Sequence, residues 1–204
     1  MTEEQSRGIL VNDLKFTDND IDKLFNFHNL LLDYNLKYNL ISKSTENSIW
    51  SRHILDSAQL IKYFDTNNSL CLSDFGSGAG FPGLVLAIYN KNPEFHVKLY
   101  EKSPVKREFL NIIRKKLKIN FEIEENVHEG IINADILVSR AFKKIEQIIK
   151  ISRENMKKSH KIIILKGKNA QSDINDVSLP VNYSYKMENS ITDSDSKIII
   201  IKVK

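Results

Sequence analysis

A glycine-rich turn between a short apolar run and a helical run constrains the fold of this 204-residue chain more than any other feature. The run Leu70–Phe75 ends at glycines 76, 78 and 80, and a helix is expected over Gly83–Tyr89. Open α/β sheets bind their ligands at such strand-to-helix turns. Gly76 and Gly78 let the backbone turn tightly and approach a ligand without an intervening Cβ. The turn therefore predicts both a fold and a ligand site.

The rest of the chain alternates strand-like and helical patterns. Residues 17–36 are expected to form an amphipathic helix, and a second helical segment is expected from about 45 to 64. The apolar stripe of the first helix is predicted to contain Ile21, Leu24, Phe25, His28, Leu31 and Leu32. Further strands are expected at 96–100, 121–124, 136–139, 161–165, 183–187 and 197–203, with helices at 104–117 and 144–156.

This order predicts an α/β fold, in which a doubly wound, mostly parallel sheet ends in an antiparallel C-terminal edge hairpin. An all-helical cap precedes the sheet. We expect residues 1–66 to be this cap and residues 67–204 to be the ligand-binding domain.

Composition limits the class of protein. The chain is 41% hydrophobic and 27% charged, as in globular domains. No apolar run approaches the roughly 20 residues that cross a bilayer. The acidic start lacks the apolar core of a signal peptide, and the single cysteine, Cys71, cannot form an internal disulfide. We therefore expect a cytoplasmic protein with no membrane contact, and we further expect a monomer without a metal ion.

Positive charge is unevenly distributed. The stretch 98–118 has eight basic and two acidic residues, and the stretch 140–168 has ten basic and two acidic residues. Clusters of this kind are what a polyanion-binding surface needs, because each neutralised phosphate releases counterions. Lysine serving as the default solubilising residue of the chain is the alternative explanation.

Two features favour S-adenosylmethionine as the ligand of the glycine turn. The dinucleotide fingerprint would need glycine at position 81, where Phe81 stands, and an acid, Asp74, lies two residues before Gly76. Glu101 ends the next strand, where a carboxylate can accept hydrogen bonds from both ribose hydroxyls. A structural turn and a solvated acid are the corresponding alternatives.

Several further motifs follow one another in a fixed order. They are Tyr38-Asn39-Leu40, Arg52-His53-Ile54-Leu55-Asp56-Ser57, the loop Gly76–Gly83 with its Phe-Pro-Gly ending, Lys106-Arg107-x-Phe109-Leu110, Ser139-Arg140-Ala141-Phe142 and Leu165-Lys166-Gly167. Over roughly residues 35–170 the chain resembles the bacterial glucose-inhibited division protein B family, the RsmG-type methyltransferases of 16S ribosomal RNA. The resemblance implies a Rossmann-like class I methyltransferase fold, S-adenosylmethionine as cofactor, and N7 of a guanine in small-subunit ribosomal RNA as the acceptor.

The resemblance also assigns residues to the cofactor. The family's contacts fall on Gly76, Phe81, Val127, His128 and Arg140, to which Gly78 and Glu101 are added by the physical argument above. The chain departs from the family at two positions. His128 stands where an acidic or other polar residue is usual, and Glu101 where Asp is commoner. The backbone N–H of residue 128 would then meet the adenine.

Guanine N7 carries a lone pair and no proton, so it can attack a sulfonium methyl in one in-line step. We therefore expect no general base and no catalytic side chain beyond those that position the reactants. Basic residues should hold phosphates instead. The candidates for contact with RNA are Lys106, Arg107, Lys166, Arg52 and His53.

Some assignments remain open. Arg140 could pair with an acid of the cofactor loop or touch RNA, and His53 with Asp56 could form a capping or interdomain hydrogen bond. Two other functions also stay open: a methyltransferase acting on a small molecule or a protein, and a nucleic-acid-binding protein without catalysis.

Overall fold

The computed structural model describes residues 1–204 and contains one seven-stranded sheet with the order β3-β2-β1-β4-β5-β7-β6. The strands are β1 Leu70–Phe75, β2 Phe95–Tyr100, β3 Glu122–Glu124, β4 Ile136–Arg140, β5 His160–Lys166, β6 Tyr183–Asn189 and β7 Lys197–Val203. Strands β1 to β5 pair in parallel, and β7 joins β5 and β6 antiparallel. The expected α/β fold, with its parallel sheet and antiparallel edge hairpin, is confirmed.

Helices cover both faces of the sheet. They are α1 Glu3–Asn12, α2 Asp18–Tyr38, α3 Asp56–Ala58, α4 Gly83–Tyr89, α5 Pro104–Leu117, α6 Ile145–Asn155 and α7 Ala170–Asn175. Because side chains alternate across a strand, neighbouring residues of β5 enter different cores. Ile163 packs with α4, α5 and the N-terminal helices, whereas Ile162 packs with α6 and α7. The carboxyl ends of β4 and β5 border a cavity.

The N-terminal helices share a core with the sheet. Phe27 of α2 lies 5.3 Å from Phe81 and 6.3 Å from Phe109, ring centroid to centroid. These residues belong to one cluster of 36 buried apolar side chains that also contains residues of β1, β4 and β5. The division into a cap of residues 1–66 and a domain of residues 67–204 stays a prediction, and the two segments are joined by this continuous core.

The expected buried side of α2 needs correction. Thr17 caps the helix as expected, since its hydroxyl accepts the N–H of Asp20 at 3.3 Å. Phe25, however, is 45% exposed, and Phe27 is fully buried in its place. Apolar residues at 24, 25 and 27 allow two overlapping stripes at helical spacing. Packing against Phe81 and Phe109 selects the stripe that contains Phe27.

The second helical segment is also less regular than expected. It consists of 3-10 turns at Lys43–Ser48, a π-helical segment at Trp50–Leu55, α3, and further 3-10 turns at Gln59–Tyr63. Both Ser51 and Leu55 are buried beside Trp50 and Ile54, so the segment is enclosed on more than one side. π-Helical turns are frequent at functional sites. Helix α1 lies within the expected helical cap but was not predicted as a separate helix, and α7 was not predicted from the sequence.

None of the helices combines the length and apolar character that crossing a bilayer requires.

Candidate cofactor site and adjoining cavity

The glycine turn after β1 has one open position. Gly76, Gly78 and Gly80 all have positive φ, at +73°, +59° and +107°. A Cβ on Gly76 would lie 2.4 Å from the ring of Phe142, and one on Gly80 would lie 2.8 Å from Leu84. At Gly78 the nearest atom would be 3.9 Å away. Gly76 and Gly80 therefore permit close packing, whereas Gly78 presents bare backbone to open space.

Asp74 fastens the turn to the following helix. Its Oδ2 accepts the N–H of Gly83 at 2.8 Å, at the start of α4. Asp74 is fully buried, and this burial raises the pKa of its carboxyl to about 7, against the opposing effects of the Gly83 N–H and of Arg140. Its Oδ1 has no protein partner. The acid before the glycines thus contributes a desolvated acceptor beneath the turn.

Glu101 contacts the glycine turn directly. Its Oε2 accepts the N–H of Gly78 at 2.8 Å, and its Oε1 accepts the N–H of Ser103 at 2.7 Å. The residue is only 9% exposed. Each carboxylate oxygen can accept a second hydrogen bond, so Glu101 can still bind hydroxyl groups of a ligand. Two N–H donors therefore fix this carboxylate in place before any ligand binds.

Arg107 supports the same strand end. Its guanidinium donates to the carbonyl oxygens of Glu101 at 3.0 Å and Lys102 at 2.7 Å, and it lies 3.0 Å from the carboxylate of Glu125. These contacts use its donors within the chain. These contacts support the strand end beside the cofactor loop, and a contact between Arg107 and RNA stays a prediction.

The loop after β3 places residues 127 and 128 differently from each other. Val127 is buried, whereas the side chain of His128 is exposed. The N–H of His128 donates to Oδ1 of Asn126 at 3.0 Å, so the expected adenine contact would require this bond to break. The N–H of Val127 makes no hydrogen bond within the chain. Among the two, Val127 offers the free backbone donor.

A cavity of about 350 Å³ opens beside the glycine turn, between the second helical segment, the ends of β4 and β5, and the turn between β6 and β7. Its lining residues are Thr45, Arg52, His53, Asp56, Arg140, Ala141, Leu165, Lys166, Gly167, Thr192 and Ser196. Four of the predicted site residues, namely Arg52, His53, Arg140 and Lys166, meet in this cavity. Lys106 lies on α5 and is not part of its wall.

Phe81 links the glycine turn to the cavity. The imidazole of His53 stacks on the Phe81 ring at 5.0 Å and 28°, and the Arg140 guanidinium lies 5.0 Å from the ring centre. Arg140 also donates to the carbonyl of Arg52 at 3.1 Å. The next residue, Ala141, turns the chain with a φ of +51°, which is uncommon for a residue with a side chain. Arg140 is thereby held between the cofactor loop and the cavity.

His53 is held neutral. Its Nε2 lies 2.9 Å from the Thr45 hydroxyl, and its Nδ1 is buried without a partner. Burial lowers the pKa of His53 to about 3, with further lowering by Arg140 and Arg52. A neutral ring cannot attract phosphate by charge, so the wall that His53 forms is aromatic rather than cationic.

Asp56 joins the helical segment to the C-terminal hairpin. Its Oδ1 accepts hydrogen bonds from Gln59 at 2.9 Å and from Ser190 and Thr192 at 3.0 Å each. Burial raises the pKa of Asp56, while Arg140 and the two hydroxyl groups act against that rise. The sequence singled out Asp56 but not Ser190 or Thr192, because no local pattern connects residues about 130 positions apart.

The remaining candidate cations differ in whether they form ion pairs within the chain. Arg52 forms an ion pair with Asp193, and Lys166 lies 2.6 Å from Asp173. Lys106 makes no ion pair or side-chain hydrogen bond and is half-buried. Lys106 is therefore the candidate whose charge is not engaged within the chain.

A family model described as rRNA small subunit methyltransferase G matches residues 20–199. This chain belongs to that family. The match extends beyond the motifs of residues 35–170 and includes most of the C-terminal hairpin. "Ribosomal RNA small subunit methyltransferase G" from Pelagibacter ubique is 35% identical over 182 residues, which cover 86% of this chain and 85% of that protein. The protein with the same name from Rickettsia akari is 37% identical, covering 88% of this chain and 92% of its own length.

Solved structures share the fold at low identity. A SAM-dependent methyltransferase from Aquifex aeolicus aligns with a TM-score of 0.58 and 12% identity, over 78% of this chain and 94% of its own. Precorrin-6y C5,15-methyltransferase from Geobacter metallireducens aligns with a TM-score of 0.52 and 17% identity, over 82% and 92%. The class I methyltransferase fold is thereby confirmed.

Family and fold together support S-adenosylmethionine, the cofactor expected from the sequence. No group of three or more potential ligand side chains is arranged to hold a metal ion.

Proposed function

We propose that this protein transfers the methyl group of S-adenosylmethionine to N7 of a guanine in 16S ribosomal RNA. The observation that carries the proposal is the contact between Glu101 and Gly78, because it places a fixed carboxylate against bare backbone at the end of β2. Family membership supports small-subunit ribosomal RNA as the substrate.

The residues present fit this cofactor. Gly78 leaves room for a ligand against the backbone, and the second lone pairs of Glu101 suit two ribose hydroxyls. The free N–H of Val127 suits a ring nitrogen of adenine, which accepts but does not donate. Phe81 and Arg140 form the boundary between this site and the cavity.

The bound cofactor supplies an electrophilic methyl group on a sulfonium. The chain's own task is then to hold an unprotonated guanine N7 towards the cofactor loop, and no side chain has to remove a proton. The neutral state of His53 agrees with such a site, since the base gains positive charge as it is methylated. The cations at the cavity mouth, Arg52 and Lys166, are suited to hold phosphates.

The test uses S-adenosylmethionine with a labelled methyl group, added with the protein to deproteinised 16S ribosomal RNA and to assembled small subunits. Nuclease digestion and mass spectrometry then locate the label. We expect 7-methylguanosine as the labelled nucleoside. Label in another nucleoside or in protein would show that the acceptor is a different group. Absence of cofactor binding in a calorimetric titration would instead indicate a nucleic-acid-binding protein without catalysis.

A further inference from the structure

The cavity beside the cofactor loop has a single carboxylate in its wall. Asp56 is the only acidic residue among the lining side chains, which otherwise include the cations Arg52, Arg140 and Lys166. The volume of about 350 Å³ falls at the small end of the range for ligand pockets. Enzymes that modify a base turn it out of the stack into such a pocket and hydrogen-bond its Watson–Crick edge. The position of the single carboxylate among these cations therefore influences which base the cavity can bind.

The two oxygens of Asp56 are used very differently. Oδ1 accepts three hydrogen bonds, from Gln59, Ser190 and Thr192, at 2.9 to 3.0 Å. Oδ2 accepts none. Three donors on one oxygen determine how the carboxylate is rotated, and they leave the other oxygen available. Asp56 is half-buried and lines the cavity, so its second oxygen is free to accept N–H groups from a ligand.

Guanine is the base whose chemistry matches this oxygen. Its Watson–Crick edge carries two neighbouring donors, N1–H and N2–H, whereas adenine and cytosine offer one donor beside an acceptor, and uracil offers one donor between two acceptors. We propose that Asp56 is the specificity-determining residue of the cavity, and that its Oδ2 accepts the N1–H and N2–H groups of the target guanine. This inference rests on the proposed function and adds to it the residue that selects the base.

Ser190 and Thr192 act as positioning residues in this proposal. They belong to the C-terminal hairpin, and their hydroxyls donate to Oδ1 at 3.0 Å each. Thr192 also lines the cavity. The hairpin therefore contributes to selecting the base even though it lies outside the parallel part of the sheet that forms the cofactor loop.

The substitution Asp56→Asn tests the proposal because its outcome depends on orientation. The three donors require the amide oxygen at the Oδ1 position, so the amide NH₂ replaces Oδ2 and faces the cavity. A donor then meets the donors of guanine. We expect kcat/KM for methylation of small-subunit ribosomal RNA to fall roughly 100-fold, while the unfolding midpoint and the affinity for S-adenosylmethionine stay close to wild type.

Thr192→Val is the matched control. It removes one hydrogen bond to Oδ1 but leaves Oδ2 unchanged, so a purely structural role for Asp56 predicts comparable losses in the two variants. We expect less than a tenfold loss for Thr192→Val. If Asp56→Asn methylates small-subunit ribosomal RNA at the same rate as the wild type, the inference is wrong and the proposed function is unaffected. Loss of rate that follows a lowered unfolding midpoint in both variants would overturn the inference too.

Competition by mononucleotides gives a second readout. Guanosine monophosphate should inhibit the wild-type reaction more than inosine monophosphate, which lacks the N2 amino group. In Asp56→Asn the preference should shift towards xanthosine monophosphate, whose O2 accepts from the new amide. An unchanged order of inhibition in the variant would contradict the assignment of Asp56. A wild-type protein that methylates no ribosomal RNA would instead contradict the proposed function.

Discussion

The carboxylate of Glu101 accepts the backbone N–H of Gly78 at 2.8 Å and so connects the end of β2 to the glycine turn after β1. The two residues are 23 positions apart in the chain. Parallel pairing of β1 with β2 brings Phe75 beside Tyr100, and the residues that follow each strand therefore meet. The contact means that Glu101 has two tasks, since it orders the turn and presents acceptors to a ligand.

Replacing Glu101 by Gln should weaken cofactor binding by about 1–3 kcal/mol, because an amide keeps one acceptor and turns the other into a donor. Calorimetric titration with S-adenosylmethionine measures the effect. Glu124→Gln is the matched control, since Glu124 ends the neighbouring strand β3 and pairs with Lys98 at 3.4 Å. Equal affinities for the wild type and the Glu101 variant would reduce Glu101 to a structural residue.

Replacing Gly78 by Val should raise the cofactor dissociation constant more than replacing it by Ala. Both side chains impose strain at a φ of +59°, on the order of 1–3 kcal/mol. Only the branched chain extends far into the open space beside the turn. The comparison separates strain from obstruction: equal affinities for the two folded variants would show that the cofactor does not lie against Gly78.

Local patterns explain which elements could be predicted from the sequence. Helix α5 begins at Pro104, whose fixed φ suits a first helical turn, and its last turn is basic, so both bounds were predicted correctly. Strand β7 was also predicted with its observed bounds, as the second strand of a hairpin whose two strands are separated by a polar turn. Helix α4 follows a glycine turn and was likewise predicted over Gly83–Tyr89.

Contacts between distant residues explain what could not be predicted. The hydrogen bonds from Ser190 and Thr192 to Asp56 depend on how the hairpin folds back over the helical segment. The basic residues around Arg107 suggested a phosphate contact, but they did not indicate its partners within the chain, which are the carbonyl groups of Glu101 and Lys102 and the carboxylate of Glu125. Clustering of charge in the sequence shows where basic residues are frequent. It does not show which of them form ion pairs or hydrogen bonds within the folded chain.

Lys106 and Arg107 should respond differently to substitution by Ala. Lys106→Ala should reduce the salt dependence of ribosomal RNA binding by about one counterion and leave cofactor affinity unchanged. Arg107→Ala should instead weaken cofactor binding, because its hydrogen bonds to the carbonyl groups of Glu101 and Lys102 are lost at the strand end that presents Glu101. Filter binding over a salt series, with calorimetry for the cofactor, distinguishes them. If RNA affinity depends on salt concentration equally in Lys106→Ala and the wild type, Lys106 does not contact the RNA.

Asp193 should restrain Arg52 in the absence of RNA, since the two side chains form an ion pair at the cavity mouth. A phosphate that binds Arg52 must displace this carboxylate. Asp193→Asn should therefore raise ribosomal RNA affinity several-fold at low salt, and Arg52→Ala should lower it. The Arg52→Ala, Asp193→Asn double variant serves as control. If Asp193→Asn raises affinity equally without Arg52, the effect comes from net charge and not from the pair.

His53 should make the protein less stable in acid. Its pKa of about 3 in the folded protein lies below the value of 6.5 for a free imidazole, so the folded state disfavours protonation. The stability that neutral His53 contributes is fully present above pH 6.5 and is lost as the pH falls from 6.5 towards 3, by up to about 1.4 kcal/mol per pH unit. Asp74 titrates in the same pH range, and its effect on stability has the opposite sign because its pKa is raised to about 7.

Comparing the wild type with His53→Gln cancels the contribution of Asp74, since both proteins contain it. The free energy of unfolding, measured with urea at pH 7.5, 6 and 5, should therefore fall more steeply towards acid in the wild type than in His53→Gln. Parallel pH profiles of the two proteins would show that the folded state does not disfavour protonation of His53. The side chain beside Phe81 would then be a cation in acid.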